Sequence, residues 1–581
     1  MGNWDLTSFY QGFDETYQKD LNKIEALVKE VKTLIKHKDQ YDDIFLIESY
    51  LRIDEKLTVL VKTVYSYASL TSATDVNNQE ALSYLAKIQN ILRQTTEEDV
   101  IFTRYLKNIN IEKLSEKSQL IKTYLFNLNH IKESAKHLLS EKEEILYARL
   151  SELSSGSWSR LQSMATANLN VLYEEENITL SEVRNLAYDY DPKVRKKAYE
   201  AELKAYEQVE DFVALSLTNI KREVNVMLEL RGYESALEKT LIQSKMKKET
   251  LEAMIEAIYE YQPYFEQYLE AKAKSLGHQN GLPFYDLFAP MGKLEKTYTY
   301  DEAQTLVKDA FYGYSQKLGD FAKKAFDKNW IDVYPKKGKR GGAFCSNQPQ
   351  INESRILTNF TGSLSDCLTL AHELGHGYHG EVIASNQPLH WSYPMPLAET
   401  ASIFCEAIIN NHLLKQIDKK EERLSILENS VQDATQVVID ILSRFLFEEK
   451  VFSTANRPIS KQEMKQFMID AQTKAYGKGL DPEYLHPYMW LNKGHYYSAG
   501  LSYYNFPYAF GLLFGKGLYA QYLENKEAFI NQYDDLLRLT TKASAEDVAL
   551  SMGIDITKKE FWLNSLEMIK KDIEEVITLL K

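Results

Sequence analysis

A chain of 581 residues with 44% hydrophobic and 26% charged positions is too long for one compact core and implies two large lobes. Its net charge of −14, with no basic run longer than Lys336 to Arg340, excludes nucleic acid as a partner, because phosphate contact needs clustered cations. The cysteines, Cys345, Cys367 and Cys405, are odd in number and lack CxxC spacing, which excludes a disulfide framework.

From the N-terminus, Met1 to Thr7 has neither a basic start nor an apolar stretch, and no later window is long and apolar enough to span a bilayer. The chain is therefore expected to stay in the cytoplasm, without a membrane partner. Apolar residues three and four apart, with Lys and Glu between them, run through Leu21 to His37, Ile44 to Tyr67, Gln79 to Arg93, Gln119 to Leu153, Val183 to Leu230 and Lys247 to Leu276. That period predicts amphipathic helices. Glycine gathers later, at Gly277 to Gly281, Gly338 to Gly342 and Gly494 to Gly517, where loops and a small sheet are expected. The expected architecture is a helical N-terminal lobe over 1–200 and a helical catalytic lobe over 201–581, with a few strands near 340–361.

Arg355 to Thr361 reads as a short strand whose edge would let an extended peptide pair its backbone. Beyond it, Ser365 and Asp366 offer helix caps and Cys367 to Leu370 begin an apolar helix, which Gly377 and Gly380 end or let turn. Inside that helix lies His372-Glu373-Leu374-Gly375-His376. Imidazoles four apart sit one turn apart on one face, so both can hold one metal ion, with Glu373 beside its open side. This is the arrangement of a zinc hydrolase, in which the carboxylate accepts a proton from a metal-bound water.

Such a zinc needs a third protein ligand and an open position. His379 lies on the same face, but one rigid helix seldom brings three turns onto one ion, so it reads as a supporting or solvent-facing residue. A metzincin is excluded, since His379 stands at its glycine place and Val382 at its third histidine. The better candidate is Glu399, 23 positions after His376, in the first turns of a helix announced by Pro394 and Pro396. Glu406, seven further along the same face, is placed to hydrogen-bond the far nitrogen of a ligand histidine.

These residues resemble the oligoendopeptidase F branch of the thimet oligopeptidase family of zinc metallopeptidases. The resemblance rests on Gly341-Gly-Ala-Phe-Cys345, Ile356 to Thr361, Leu370 to His376 and Glu399 to Glu406, and on Asp191 to Tyr199, Arg231 to Leu237, Phe284 to Leu287 with Ala289-Pro290, and Trp330 to Val333. It spans roughly residue 115 to the C-terminus. It implies a mainly α, two-lobed, zincin-like fold with a small sheet near the site and a deep channel around one zinc. The implied ligands are His372, His376 and Glu399, and the implied general base is Glu373. The family's substrate-binding histidine and tyrosines fall in Gly494 to Tyr508, on His495 and Tyr508, with Tyr504 and Tyr497 behind. Phe506 stands where a tyrosine is common.

The segment supports this by its own chemistry. A loop dense in phenols and punctuated by glycine and serine grips a peptide backbone better than it fills a core. His495 and a tyrosine hydroxyl can stabilise the oxyanion. The expected activity is internal cleavage of short unfolded oligopeptides. A helical zinc carboxypeptidase is the alternative, but it needs a cation for the substrate's free carboxylate, and none lies in the tyrosine loop. A structural zinc would close with four protein ligands, often cysteines.

Overall fold

The computed structural model of the chain describes residues 2–292 and 296–581 and is 71% helical, with two small sheets. It is the mainly α fold that the periodicity predicts. The first long helix, Glu15–Lys36, shows how the pattern works: Asp14 accepts from the Thr16 and Tyr17 amides at its start, and Leu21, Ile24, Val28, Val31 and Ile35 form one buried stripe. Each such side chain contributes about 1.5–3 kcal/mol when fully buried. Its stripe packs on helix Asp43–Thr74.

The buried apolar residues form two cores. One runs from Trp4 to Leu128 and takes in Leu357; the other runs from Leu169 to Val576 and contains the segments carrying the candidate site. A hairpin not foreseen from the periodicity, β1 (Asn170–Tyr173) and β2 (Glu176–Thr179), lies at the start of the second. Its turn places Glu174 and Glu175 at φ of 47° and 72°, positions that asparagine and glycine usually take, so no turn signal marked it.

The second sheet sits at the seam of the two cores. It joins β3 (Ile331–Asp332), β4 (Phe344–Gln348) and β5 (Glu353–Leu357) in the order β3-β5-β4, with β3 parallel and β4 antiparallel to β5. Successive side chains of a strand point to opposite faces; here Ile356 enters the second core and Leu357 the first. Arg355, fully buried, donates to the Asp5 carbonyl, the Ser8 hydroxyl and Glu353, tying the N-terminal segment to the sheet.

Two expectations are corrected here. The strand ends at Leu357 rather than Thr361, although the Thr358 and Phe360 amides still bond the carbonyls of Asp332 and Val333. It is also the central strand, so it offers no free edge; β4 pairs on one side only. Among the described residues no helix is long and apolar enough to cross a membrane.

Candidate active site

The motif helix spans Leu364–Ile383. Its cap is Ser363 rather than Ser365 or Asp366: the Ser363 hydroxyl accepts from the Asp366 amide, and Asp366 reaches back to accept from the Thr361, Gly362 and Ser363 amides. This reciprocal capping outweighs the sequence preference for the later residues. The helix also runs straight through Gly377 and Gly380. Glycine serves here for close approach rather than termination. A Cβ at Gly375 would stand 2.6 Å from the Ala401 carbonyl oxygen and from Ser402 Cα, and one at Gly380 would stand 2.2 Å from Asn347 Cγ. The helix Thr400–Leu414 and strand β4 are thereby pressed against the motif.

That approach brings the predicted ligands together. His372 Nε2 and His376 Nε2 lie 3.1 Å apart, and Glu399 Oε2 lies 3.3 and 3.4 Å from them. Ligand atoms of these residues all fall within 4.8 Å of one another. Glu399 is the residue just before the helix Thr400–Leu414, not within its first turns, and the Ser402 hydroxyl donates to its Oε2 at 2.7 Å. Glu406, two turns on, hydrogen-bonds His372 Nδ1, which leaves the Nε2 lone pair aimed into the cluster. Burial pushes the Glu399 carboxyl up, but the two imidazoles outweigh it and hold it well below the usual carboxylate range. Glu373 is buried, its carboxyl is pushed up by that burial, and its Oε2 has no partner. Converging imidazole and carboxylate donors with an orphaned carboxylate oxygen beside them fit a cation with an open coordination position.

His379 takes no part in the cluster and does not face solvent. It is fully buried, stacks on Tyr393 at 4.2 Å, bonds the Thr540 hydroxyl at 2.8 Å, and is pushed down to about 3, chiefly by burial. All three cysteines are free, with Cys367 and Cys405 buried on the two site helices.

The tyrosine segment approaches from the other side. His495 sits on the short turn Gly494–Tyr497, and Tyr508 in the first turn of helix Phe506–Glu524. That helix lies directly on Glu399, since a Cβ at Gly511 would stand 2.7 Å from Glu399 Cβ. The Tyr508 hydroxyl donates to Tyr504 at 3.2 Å, and Tyr504 stacks on His495 at 5.5 Å. Burial raises the Tyr508 phenol, with contributions from Tyr504 and from the Glu399 charge. Tyr497 points elsewhere: it is fully buried and donates to the Trp490 carbonyl at 3.3 Å.

A chain of polar contacts orients His495. Asp440 pairs with Arg444 at 2.5 Å, Arg444 donates to Asn505 Oδ1 at 3.4 Å, and the Asn505 amide then donates to His495 Nε2 at 2.9 Å. His495 is pushed down to about 3 by burial and by Arg444, Lys493 and Lys221. Neutral, with Nε2 accepting, it carries its proton on Nδ1. Asp440, Arg444 and Asn505 escaped the sequence reading. The available signal was Asp440 and Arg444 four apart within the apolar run Val437 to Leu446, an ion pair placed where a solvated face is absent.

With this geometry established, known proteins can be set beside it. The family model of peptidase family M3 matches residues 185–568, and that of oligopeptidase F matches residues 106–170. Oligopeptidase PepF of Bacillus subtilis (strain 168) is 25% identical over an alignment covering 99% of this chain and 87% of that protein. Among solved structures, one from Chlamydophila abortus aligns at a TM-score of 0.84 with 22% identity, covering 100% of this chain and 98% of its own. Oligoendopeptidase-F from Enterococcus faecium aligns at 0.72 with 19% identity, covering 98% of each. At those identities the structures speak for the fold.

Proposed function

The chain belongs to peptidase family M3, in its oligoendopeptidase F branch, and on that premise we propose that this metalloendopeptidase is a zinc-dependent enzyme cleaving internal bonds of short unfolded peptides. One observation carries the reading: His372, His376 and Glu399 converge beside a buried Glu373 oxygen that has no partner. Those three residues would hold one zinc ion per chain, which supplies Lewis acidity and an acidified water when bound.

The protein's own residues do the rest. Glu373 Oε2 receives a proton from the attacking water and passes it to the leaving amine; the burial that raises its carboxyl suits both transfers. Glu406 fixes the His372 tautomer. The His495 Nδ1–H and the Tyr508 hydroxyl would donate to the carbonyl oxygen as negative charge develops on it, the Tyr508 proton turning away from Tyr504, which it bonds in the free protein. The Tyr497 hydroxyl, committed to the Trp490 carbonyl, supports the loop from within the core. An extended peptide would pair along the outer side of β4, whose Asn347 also bonds the His376 carbonyl at 3.1 Å. The free cysteines suit a reducing cytoplasm.

The test is cleavage of an internally quenched oligopeptide blocked at both ends. Cleavage that a chelator abolishes and that Glu373→Gln lowers by at least about a hundredfold supports the reading. Trimming of an unblocked peptide alone would instead favour a carboxypeptidase.

A further inference from the structure

Near the tyrosine segment lies a cavity of about 100 Å³, lined among others by Arg184, Arg195, Gln436, Arg444, His486 and Lys493. Its three arginines each meet a carboxylate. Arg195 pairs with Asp286 at 2.7 Å, Arg184 with Glu202 at 3.3 Å and Arg444 with Asp440 at 2.5 Å. Lys493 pairs with none: among the described residues no carboxylate or other acceptor hydrogen-bonds its ammonium group. Four cations thus face three carboxylates. A further donor on the same wall, Arg444 Nε, is buried without an acceptor.

A buried donor without an acceptor is costly, and a half-buried ammonium with no partner beside it adds an attraction for any anion the cavity admits. The Lys493 ammonium and Arg444 Nε, on residues that line one small space, are satisfied together by an anion with several lone pairs, and a carboxylate accepts from several donors at once. The place suits a substrate group, because Lys493 stands two residues before His495 and Arg444 bonds the asparagine that orients it.

We infer that this cavity is a carboxylate-binding subsite for the peptide, occupied by its C-terminal carboxylate or by an acidic side chain, with Lys493 as the residue that sets the preference. The inference rests on the oligopeptidase reading. Burial and the Arg444 charge push the Lys493 ammonium down to about 7, so a carboxylate would restore a charge that the empty site holds at a cost. A cation for a free carboxylate therefore does exist in the chain, immediately before the loop in which the sequence showed none.

The test is direct binding, measured by fluorescence anisotropy on zinc-loaded Glu373→Gln protein. The probes are one neutral nonapeptide as its free acid, the same peptide amidated, and the amidated peptide with one internal glutamate. One of the two acidic probes should bind about tenfold more tightly than the neutral amide. Which one does so identifies the source of the carboxylate. Adding Lys493→Met should bring that discrimination within twofold. The unfolding temperature of the double variant, measured beside that of Glu373→Gln, should be unchanged, so misfolding does not excuse a failure. Equal binding of all three probes, or discrimination that survives Lys493→Met, overturns the inference. The same probes are given to the wild-type protein; no cleavage, with discrimination intact, would sink the peptidase reading and leave the subsite standing.

Discussion

The ligand cluster and the tyrosine segment meet where Gly511 lies against Glu399, yet they are built by opposite means. His372, His376 and Glu406 are spaced by helix geometry alone, and two helices at glycine-permitted distance close the set. His495 and Tyr504 sit on irregular chain, and what orients His495 is a relay of buried polar groups from Asp440 through Arg444 and Asn505. The first region depends on backbone approach and the second on charge and hydrogen bonding, so substitutions should separate them.

The largest effect is expected at Gly375→Ala, where the new methyl meets backbone rather than a yielding side chain. Forcing the helices apart should cost about 3 kcal/mol and weaken zinc binding with it, read by thermal unfolding and zinc titration. Glu406→Gln should lower zinc affinity about tenfold to a hundredfold while the fold stands, since the imidazole loses the charge that makes it a stronger donor and not its lone pair.

The second region should answer to pH instead. His495 is depressed to about 3 in the folded protein against about 6.5 in the unfolded chain. Its stabilising contribution is therefore complete above that unfolded value and is lost as pH falls towards the folded one. Between pH 7 and pH 5 the loss is about 2 kcal/mol, and His495→Gln should remove that share of the acid destabilisation in unfolding curves. The smallest effect is expected at Asn505→Leu, which frees the imidazole to rotate. kcat should fall about tenfold with KM nearly unchanged, because what is lost is orientation towards the oxyanion. A fall in KM and kcat together with a drop in unfolding temperature would mean that Asn505 only supports the fold.

The same contrast explains what was legible. His372 and His376 were readable because a helix converts sequence spacing into direction, and Glu406 because seven residues are two turns. The cap at Ser363, the helix running through Gly377, and the central place of β5 were not, because each depends on what packs alongside. Asn505 was unreadable for a stronger reason: its role exists only once Arg444, 61 residues earlier in the chain, fixes which way its amide points. Tyr497 and Tyr504 look alike in sequence, and only the fold sends one into the core and the other towards Tyr508.

The most direct measurement of the central claim is the metal content of the purified protein with that of Glu373→Gln and Glu399→Ala. The account predicts one zinc per chain in the wild type and in Glu373→Gln, with peptide cleavage lost only in the latter, and zinc lost from Glu399→Ala. Zinc retained in Glu399→Ala, or cleavage retained in Glu373→Gln, would contradict it.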